Sequence, residues 1–204
     1  RLRELRRRSP YAALLWALRG VSRRSYGWLN RQLMVEAGKD FDASGGRYHF
    51  DGMSFVVPKT LTSLYFRGFS TLVGYESDEE FAYVDTYVSP DSKVLELGGC
   101  LGVMSCYVNR RLKPPAHHVV VEANPNVIPY LEQNREANGA HFTVINGMLA
   151  LQDDMPFYLH DLILAGSNKS ISDKQITVRG IRAVDLIAEW GGFDALIIDI
   201  EGGE

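Results

Sequence analysis

A glycine-rich loop follows an apolar run at residues 94–102, which read VLELGGCLG. Gly98 permits a tight turn, Gly99 lets a ligand approach the backbone, and Gly102 lets a following helix pack against the strand. The first turn of that helix offers free backbone N–H groups to a carboxylate or a phosphate. The loop therefore predicts a binding site for a nucleotide-like ligand.

Polar residues follow three later apolar runs of the sequence. Glu122 ends the run VVVE twenty residues after Gly102, a spacing at which a carboxylate can accept both hydroxyl groups of a ribose. Asn146 to Met148 follow the next run, where they could border an adenine ring. Asp199 and Glu201 follow the last run, and either carboxylate is a candidate for the base that activates a hydroxyl group.

The order of the glycines distinguishes two classes of cofactor. A dinucleotide site favours the pattern GxGxxG, whereas this loop has GGxxG. Glu96 stands two positions before Gly98, and the resulting spacing ExGxxxG is typical of S-adenosylmethionine enzymes. A glycine loop alone is weak evidence, but the ordered set of loop, Glu122 and Asn146 favours a nucleoside-containing cofactor.

Alternating strands and helices must position these residues. The sequence predicts strands at KVLELG, HHVVVEAN, HFTVING and DALIIDI, helices at 103–112, 126–139 and AVDLIAEWGG, and an extra hairpin within 155–178. Continuous Val, Ile and Leu runs between helices are typical of a parallel sheet that is buried on both faces. We therefore predict an α/β fold with a Rossmann-like, doubly wound parallel sheet, whose ligands bind beyond the carboxyl ends of the strands.

The chain before this domain divides into two segments. Residues 1–40 contain nine Arg and one Lys against three acidic residues, and their pattern predicts a basic helical leader. Residues 41–76 predict a β-hairpin or lid, and residues 77–204 the main domain. The leader could pack on the body of the protein, contact a partner or bind peripherally to a membrane.

Composition excludes several classes of protein. The net charge is −3 and, outside the leader, acidic residues are in excess, which argues against a nucleic-acid substrate. Cys100 and Cys106 lie too close in sequence to close a useful loop, so we expect free thiols and a cytoplasmic location. The His and Cys residues lack zinc spacing, so we expect no metal site. Apolar runs are shorter than the roughly 20 residues of a transmembrane helix.

Five segments together resemble a known family. VLELGGCLGVMSCYV, VVVEANPNVIPYLEQNREANG, FTVINGML, ITVRGIRAVDLI and FDALIIDIEGGE resemble the successive motifs of FkbM-type S-adenosylmethionine-dependent methyltransferases. The resemblance extends from about Tyr75 to Glu204, and VEANP and DIEGGE are its most specific parts. It implies a class I methyltransferase fold and methylation of a hydroxyl group on a sugar, a glycan or a macrolide-like natural product.

The resemblance also implies roles for individual residues. Glu96, Gly98 and Gly102 would hold the methionine part of S-adenosyl-L-methionine, and Asp199 and Glu201 would face the transferring methyl group or the acceptor. The implied cofactor-binding residues are Glu96, Leu97, Gly98, Gly99, Cys100, Gly102, Glu122, Ala123, Asn124, Asn146, Gly147 and Met148. We expect Glu122 to bind the ribose and Asn146 to Met148 to border the adenine.

The sequence departs from the family pattern in two places. Ile197 stands two positions before Asp199, where the family usually has Lys. We can place only about four of the seven strands of a class I sheet, so we expect the domain within residues 77–204 to be incomplete at its C-terminus.

Two alternative functions stay open. The same sheet could serve a nicotinamide-dependent oxidoreductase, although the absence of GxGxxG argues against it. A non-catalytic relative could bind the cofactor and act as a partner-binding module through its basic leader.

Overall fold

The structure is a computed structural model that describes residues 23–72, 78–160 and 174–200. These residues form two compact units. The first contains residues 23–48 and 57–72, and the second contains residues 49–56, 78–160 and 174–200. Most of the predicted leader and Glu201 lie outside the described residues, and every other predicted site residue belongs to the second unit.

Two closely packed helices build the first unit. Helix α1 spans Arg23–Ala43, so the predicted helical segment continues past residue 40. Helix α2 spans Leu64–Leu72. An added Cβ at Gly38 would overlap the carbonyl oxygen of Leu64, which shows that the two backbones nearly touch.

Helix α2 lies in a segment whose sequence predicted only turns and short strands. It begins where the Phe66 N–H donates to the hydroxyl of Ser63, 3.1 Å away. Gly68 packs against the Met34 carbonyl, where an added Cβ would overlap it. Glycine and aromatic residues favour turns and strands locally, but close packing against α1 stabilises the helix.

The predicted hairpin is confirmed, with strands β1 at Arg47–Phe50 and β2 at Met53–Val56. Its turn contains Asp51 and Gly52, whose φ angles are 47° and 77°. Such left-handed angles are typical of tight hairpin turns.

The second unit contains a parallel sheet of four strands in the order β5-β4-β3-β9. The strands are β3 at Val94–Leu97, β4 at His118–Glu122, β5 at Thr143–Asn146 and β9 at Ala195–Ile198. The helices of this unit are α3 at Asp78–Tyr87, α4 at Val103–Asn109, α5 at Ile128–Ala137 and α6 at Ala183–Trp190. The predicted α/β architecture is therefore confirmed, and it is compatible with a Rossmann-like fold.

Burial explains why β3 and β4 are predominantly apolar. All residues of both strands are buried, and Leu95 and Val119 pack in one core cluster with Leu186 of α6. Strand β9 differs from the prediction of a fourth buried strand, because Leu196 and Ile198 are 56% and 48% exposed. Among the described residues β9 pairs only with β3, so one of its edges and part of one face lack cover.

The strand order reverses at β3. The chain runs from β3 to β4 and β5 on one side, and β9 then adds to the other side of β3. In open parallel sheets, ligands bind at the carboxyl ends of the strands at such a reversal. The loops after β3 and β9 therefore form the expected location of a site.

A smaller three-stranded sheet has the order β6-β8-β7. Strands β7 at Asp154–Tyr158 and β8 at Gln175–Ile181 pair antiparallel, which confirms the predicted extra hairpin. Strand β6 at Met148–Leu149 pairs parallel with β8, which the sequence did not predict. No helix within the described ranges is long and apolar enough to cross a membrane.

Two glycines of α1 provide a matched test of the close packing between α1 and α2. Gly38→Ala should lower the free energy of unfolding by about 1 to 3 kcal/mol, because its methyl group has to displace backbone. An added Cβ at Gly27 has no atom within 4 Å, so Gly27→Ala should raise the free energy of unfolding by up to about 1 kcal/mol through helix propensity. Urea denaturation measures both, and equal effects of the two substitutions would contradict the close packing.

Candidate functional site

Gly98 is the residue at which the ends of three strands meet. Its φ is 96°, a left-handed conformation that favours glycine. Its N–H donates to the carbonyl of Val121 at 2.8 Å, and an added Cβ would overlap the carbonyl oxygen of Asp199. The Asp199 N–H in turn donates to the Leu97 carbonyl at 2.9 Å. The glycine loop therefore turns between β4 and β9.

The other two loop glycines are required by packing against the protein interior. An added Cβ at Gly99 would overlap Val120 and lie 3.2 Å from Cδ2 of Leu131. At Gly102, whose φ is 81°, it would lie 2.7 Å from Cδ1 of Leu131. Helix α5 thus supports the loop from below, and any ligand contact at Gly99 is made by its backbone.

Glu122 joins the loops that follow β3 and β4. Its carboxylate Oε2 accepts the Cys100 N–H at 2.8 Å, and Oε1 accepts the Asn124 N–H at 2.7 Å. Cys100 itself has a left-handed φ of 41°, and its side chain is partly buried. Cys100 therefore has a left-handed backbone conformation at the position where its N–H binds the Glu122 carboxylate.

The electrostatic environment of Glu122 contains opposing effects. Its side chain is only 7% exposed, and burial raises its pKa. The backbone N–H groups of Asn124, Cys100 and Ala123 lower the pKa, whereas the nearby Glu96 raises it further. A carboxylate offers about four acceptor positions, and these three N–H groups leave about one of them for another donor. Glu122 can therefore accept a further hydrogen bond from a ligand with hydroxyl groups.

Glu96 points away from the sheet edge into the interior. Its Oε1 accepts the Ser105 hydroxyl at 2.7 Å, and its Oε2 lies 3.0 Å from Nε2 of His118. Glu96, Ser105 and His118 are each at most 1% exposed. The Glu96 carboxylate therefore ties β3 to α4 and to the start of β4, and both of its oxygens contact buried side chains of the protein.

The loop after β5 is tied to the backbone of Glu122. Nδ2 of Asn146 donates to the Glu122 carbonyl at 2.8 Å and to the Ala123 carbonyl at 3.3 Å. The Gly147 N–H donates to the same Glu122 carbonyl at 2.9 Å. Met148 then begins β6 and is partly buried. The predicted adenine-bordering segment thus lies beside the predicted ribose-binding residue.

Asn124 organises the start of α5. Its side chain is 7% exposed, and its Oδ1 accepts the N–H of Asn126 at 3.0 Å. Its carbonyl accepts the N–H of Val127 at 3.2 Å. Asn124 therefore contributes to the site through its own N–H, which holds Glu122.

Asp199 follows β9 directly and is an exposed residue next to the glycine loop. Glu80, in the first turn of α3, is the titratable group that sequence reasoning missed here. Burial and the negative charge of Asp199 raise the pKa of Glu80. Glu80 belongs to the acidic run SDEE at residues 77–80, and only the fold shows that its carboxylate lies near Asp199.

The structure therefore brings together the loops after β3, β4, β5 and β9, represented by Gly98, Glu122, Asn146 and Asp199. Within residues 23–72, 78–160 and 174–200, no three His, Cys, Asp or Glu side chains are arranged to hold a metal ion. The described site consists of backbone N–H groups, carboxylates and one carboxamide.

The two cysteines test the burial of α4 beneath the loop. Neither forms a disulfide, and Cys106 is 1% exposed with a pKa raised to about 12, mainly by burial. Because the thiolate is the reactive form, iodoacetamide at mildly alkaline pH should modify Cys100 alone in the folded protein. Mass spectrometry measures the modified residue, with Cys100→Ser as the control that should stay unmodified. Alkylation of Cys106 under native conditions would contradict this arrangement.

A scan of the chain against protein-family models and a search of curated proteins both gave no match. The functional assignment therefore depends on the residues and contacts described above.

Proposed function

We propose that this protein is an S-adenosylmethionine-dependent methyltransferase that methylates a hydroxyl group of a sugar, a glycan or a natural product. The observation that carries the proposal is the buried carboxylate of Glu122, held between two loops by the N–H groups of Cys100 and Asn124. A buried carboxylate with a remaining acceptor position suits a ligand with hydroxyl donors, such as a ribose. The resemblance to FkbM-type methyltransferases supports the same assignment.

The residues at the sheet edge fit the chemistry of this cofactor. Glu122 would accept the ribose hydroxyl groups, the backbone of residues 97–102 would hold the methionine part, and Asn146 to Met148 would border the adenine. Bound there, the cofactor supplies a methyl group on a sulfonium sulfur. Glu96 would act indirectly, because its carboxylate already binds Ser105 and His118 and thereby fixes the end of β3.

Asp199 is the proposed base for the acceptor. It lies exposed at the strand-order reversal, where its backbone packs against Gly98. Its carboxylate would orient the acceptor hydroxyl group and accept the hydroxyl proton as the oxygen becomes nucleophilic. Burial and the negative charge of Asp199 raise the pKa of Glu80, which makes Glu80 a second carboxyl group that can hold a proton near Asp199. Glu201, outside the described residues, stays a candidate for the same role.

The proposal extends to the cell compartment and to the partners. Two cysteines outside any disulfide suit the reducing cytoplasm, and the acceptor would be a small molecule or a glycan. The basic leader could contact a partner or a membrane surface.

Isothermal calorimetry with S-adenosylhomocysteine tests whether the protein binds the proposed cofactor. The wild-type protein should bind it, and Glu122→Ala should weaken binding by about 1 to 3 kcal/mol through the loss of charge-assisted hydrogen bonds. Glu132→Ala, an exposed carboxylate on α5, is the matched control and should bind as the wild type does. Absence of wild-type binding, or equal affinities of the two variants, would reject the proposal.

The affinity should also depend on pH in a defined direction. Above 4.5 and up to its raised pKa, native Glu122 keeps a proton that the unfolded chain has released, so its contribution to the free energy of unfolding decreases as pH rises. Hydroxyl donors favour the charged carboxylate, so affinity for S-adenosylhomocysteine should rise with pH until Glu122 is ionised. Calorimetry across this range should give a lower and flat affinity for Glu122→Gln. A wild-type affinity that falls as pH rises would disagree with this assignment.

A further inference from the structure

Asn134 of α5 and Asn138, the residue that caps the C-terminus of α5, take the place of a neighbouring strand for β2. Oδ1 of Asn138 accepts the Ser54 N–H at 2.9 Å, and its Nδ2 donates to the Ser54 carbonyl at 3.1 Å. Oδ1 of Asn134 accepts the Val56 N–H at 2.7 Å, and its Nδ2 donates to the Val56 carbonyl at 3.2 Å. Alternate residues of a strand present their polar groups on the same edge, and residues four apart share one face of a helix. The two carboxamides therefore match the spacing of β2.

Only one of these asparagines also contacts the glycine loop. Nδ2 of Asn134 donates to the carbonyl of Leu101 at 2.9 Å. Asn134 is fully buried and Leu101 is 1% exposed, so solvent cannot replace this hydrogen bond. Nδ2 of Asn138 instead makes its additional hydrogen bond to the Asn134 carbonyl, at 2.7 Å.

Asn134 adds a polar contact to an apolar one. Leu131, one turn earlier on α5, packs against Gly99 and Gly102. Between these glycines lies Cys100, whose N–H binds the Glu122 carboxylate. If the Asn134 carboxamide were lost, the Leu101 carbonyl would be left buried without this donor. The conformation that presents the Cys100 N–H therefore depends on Asn134 as well as on the glycines.

We propose that Asn134 is a positioning residue, which locks the backbone of the glycine loop to strand β2 so that the hairpin and the loop open together. For its effect on a ligand this inference rests on the proposed function, because the cofactor would bind at that loop. For its effect on the loop itself, it rests only on the contacts of Asn134.

Asn134→Asp and Asn138→Asp form a matched pair, because each removes an Nδ2 donor that binds β2 and only the first removes a donor that binds the loop. Both variants should be less stable than the wild type. Hydrogen exchange of the Cys100 N–H, measured by NMR in the folded protein, should become about tenfold or more faster only in Asn134→Asp. S-adenosylhomocysteine affinity should fall about tenfold in the same variant alone. Equal changes in both variants, or a Cys100 N–H that exchanges at the wild-type rate in Asn134→Asp, would overturn the proposal.

Further measurements keep the outcome decisive. If the wild-type protein does not bind S-adenosylhomocysteine, the proposed function fails while the exchange of the Cys100 N–H still tests the role of Asn134. If Asn134→Asp does not fold, Asn134→Ala removes the carboxamide without burying a charge. In the wild type, the Val56 and Cys100 N–H groups should exchange through one opening with the same denaturant dependence, and separate openings would overturn the coupling.

Discussion

Burial of the Glu122 carboxyl group is the constraint on which the candidate site depends. Removing a carboxylate from water is costly unless donors compensate it, and here the N–H groups of Cys100, Asn124 and Ala123 offset part of that cost. These donors come from two different loops, so the carboxylate fixes the distance between them. Its burial raises its pKa, and its remaining acceptor position can take a hydroxyl donor. One side chain thus joins the two loops of the candidate site.

The surrounding architecture serves to bring those donors within reach. Parallel strands end at the same edge, and the left-handed turn at Gly98 brings the loop between β4 and β9. Helix α5 supports that loop through Leu131 and Asn134. Glu96 secures the end of β3 from below, through Ser105 on α4. The backbone that carries the polar groups at the sheet edge is therefore held by the neighbouring strands, by α5 and by α4.

The sheet could be predicted from sequence because burial on both faces makes β3 and β4 predominantly apolar. Glu122 and Asn146 could be placed at its edge because they end such runs. The inward direction of Glu96 could not, since a carboxylate before a glycine turn reads the same whether it faces a ligand or a buried histidine. Asn134 was hidden for a similar reason: its partners are distant backbone groups, which leave no residue pattern. The exposure of β9 also depends on tertiary packing, because its sequence is as apolar as that of β3.

A crystal structure of the protein grown with S-adenosylhomocysteine would test most directly whether Glu122 is a ribose-binding residue. The expected result is that both ribose hydroxyl groups lie within about 3 Å of the Glu122 carboxylate, with the Cys100 N–H still bound to it. Such a ligand would lie over the glycine loop, with its sulfur on the side of Asp199. A ligand bound elsewhere, or a Glu122 carboxylate that contacts only backbone N–H groups of the protein, would contradict the proposed function.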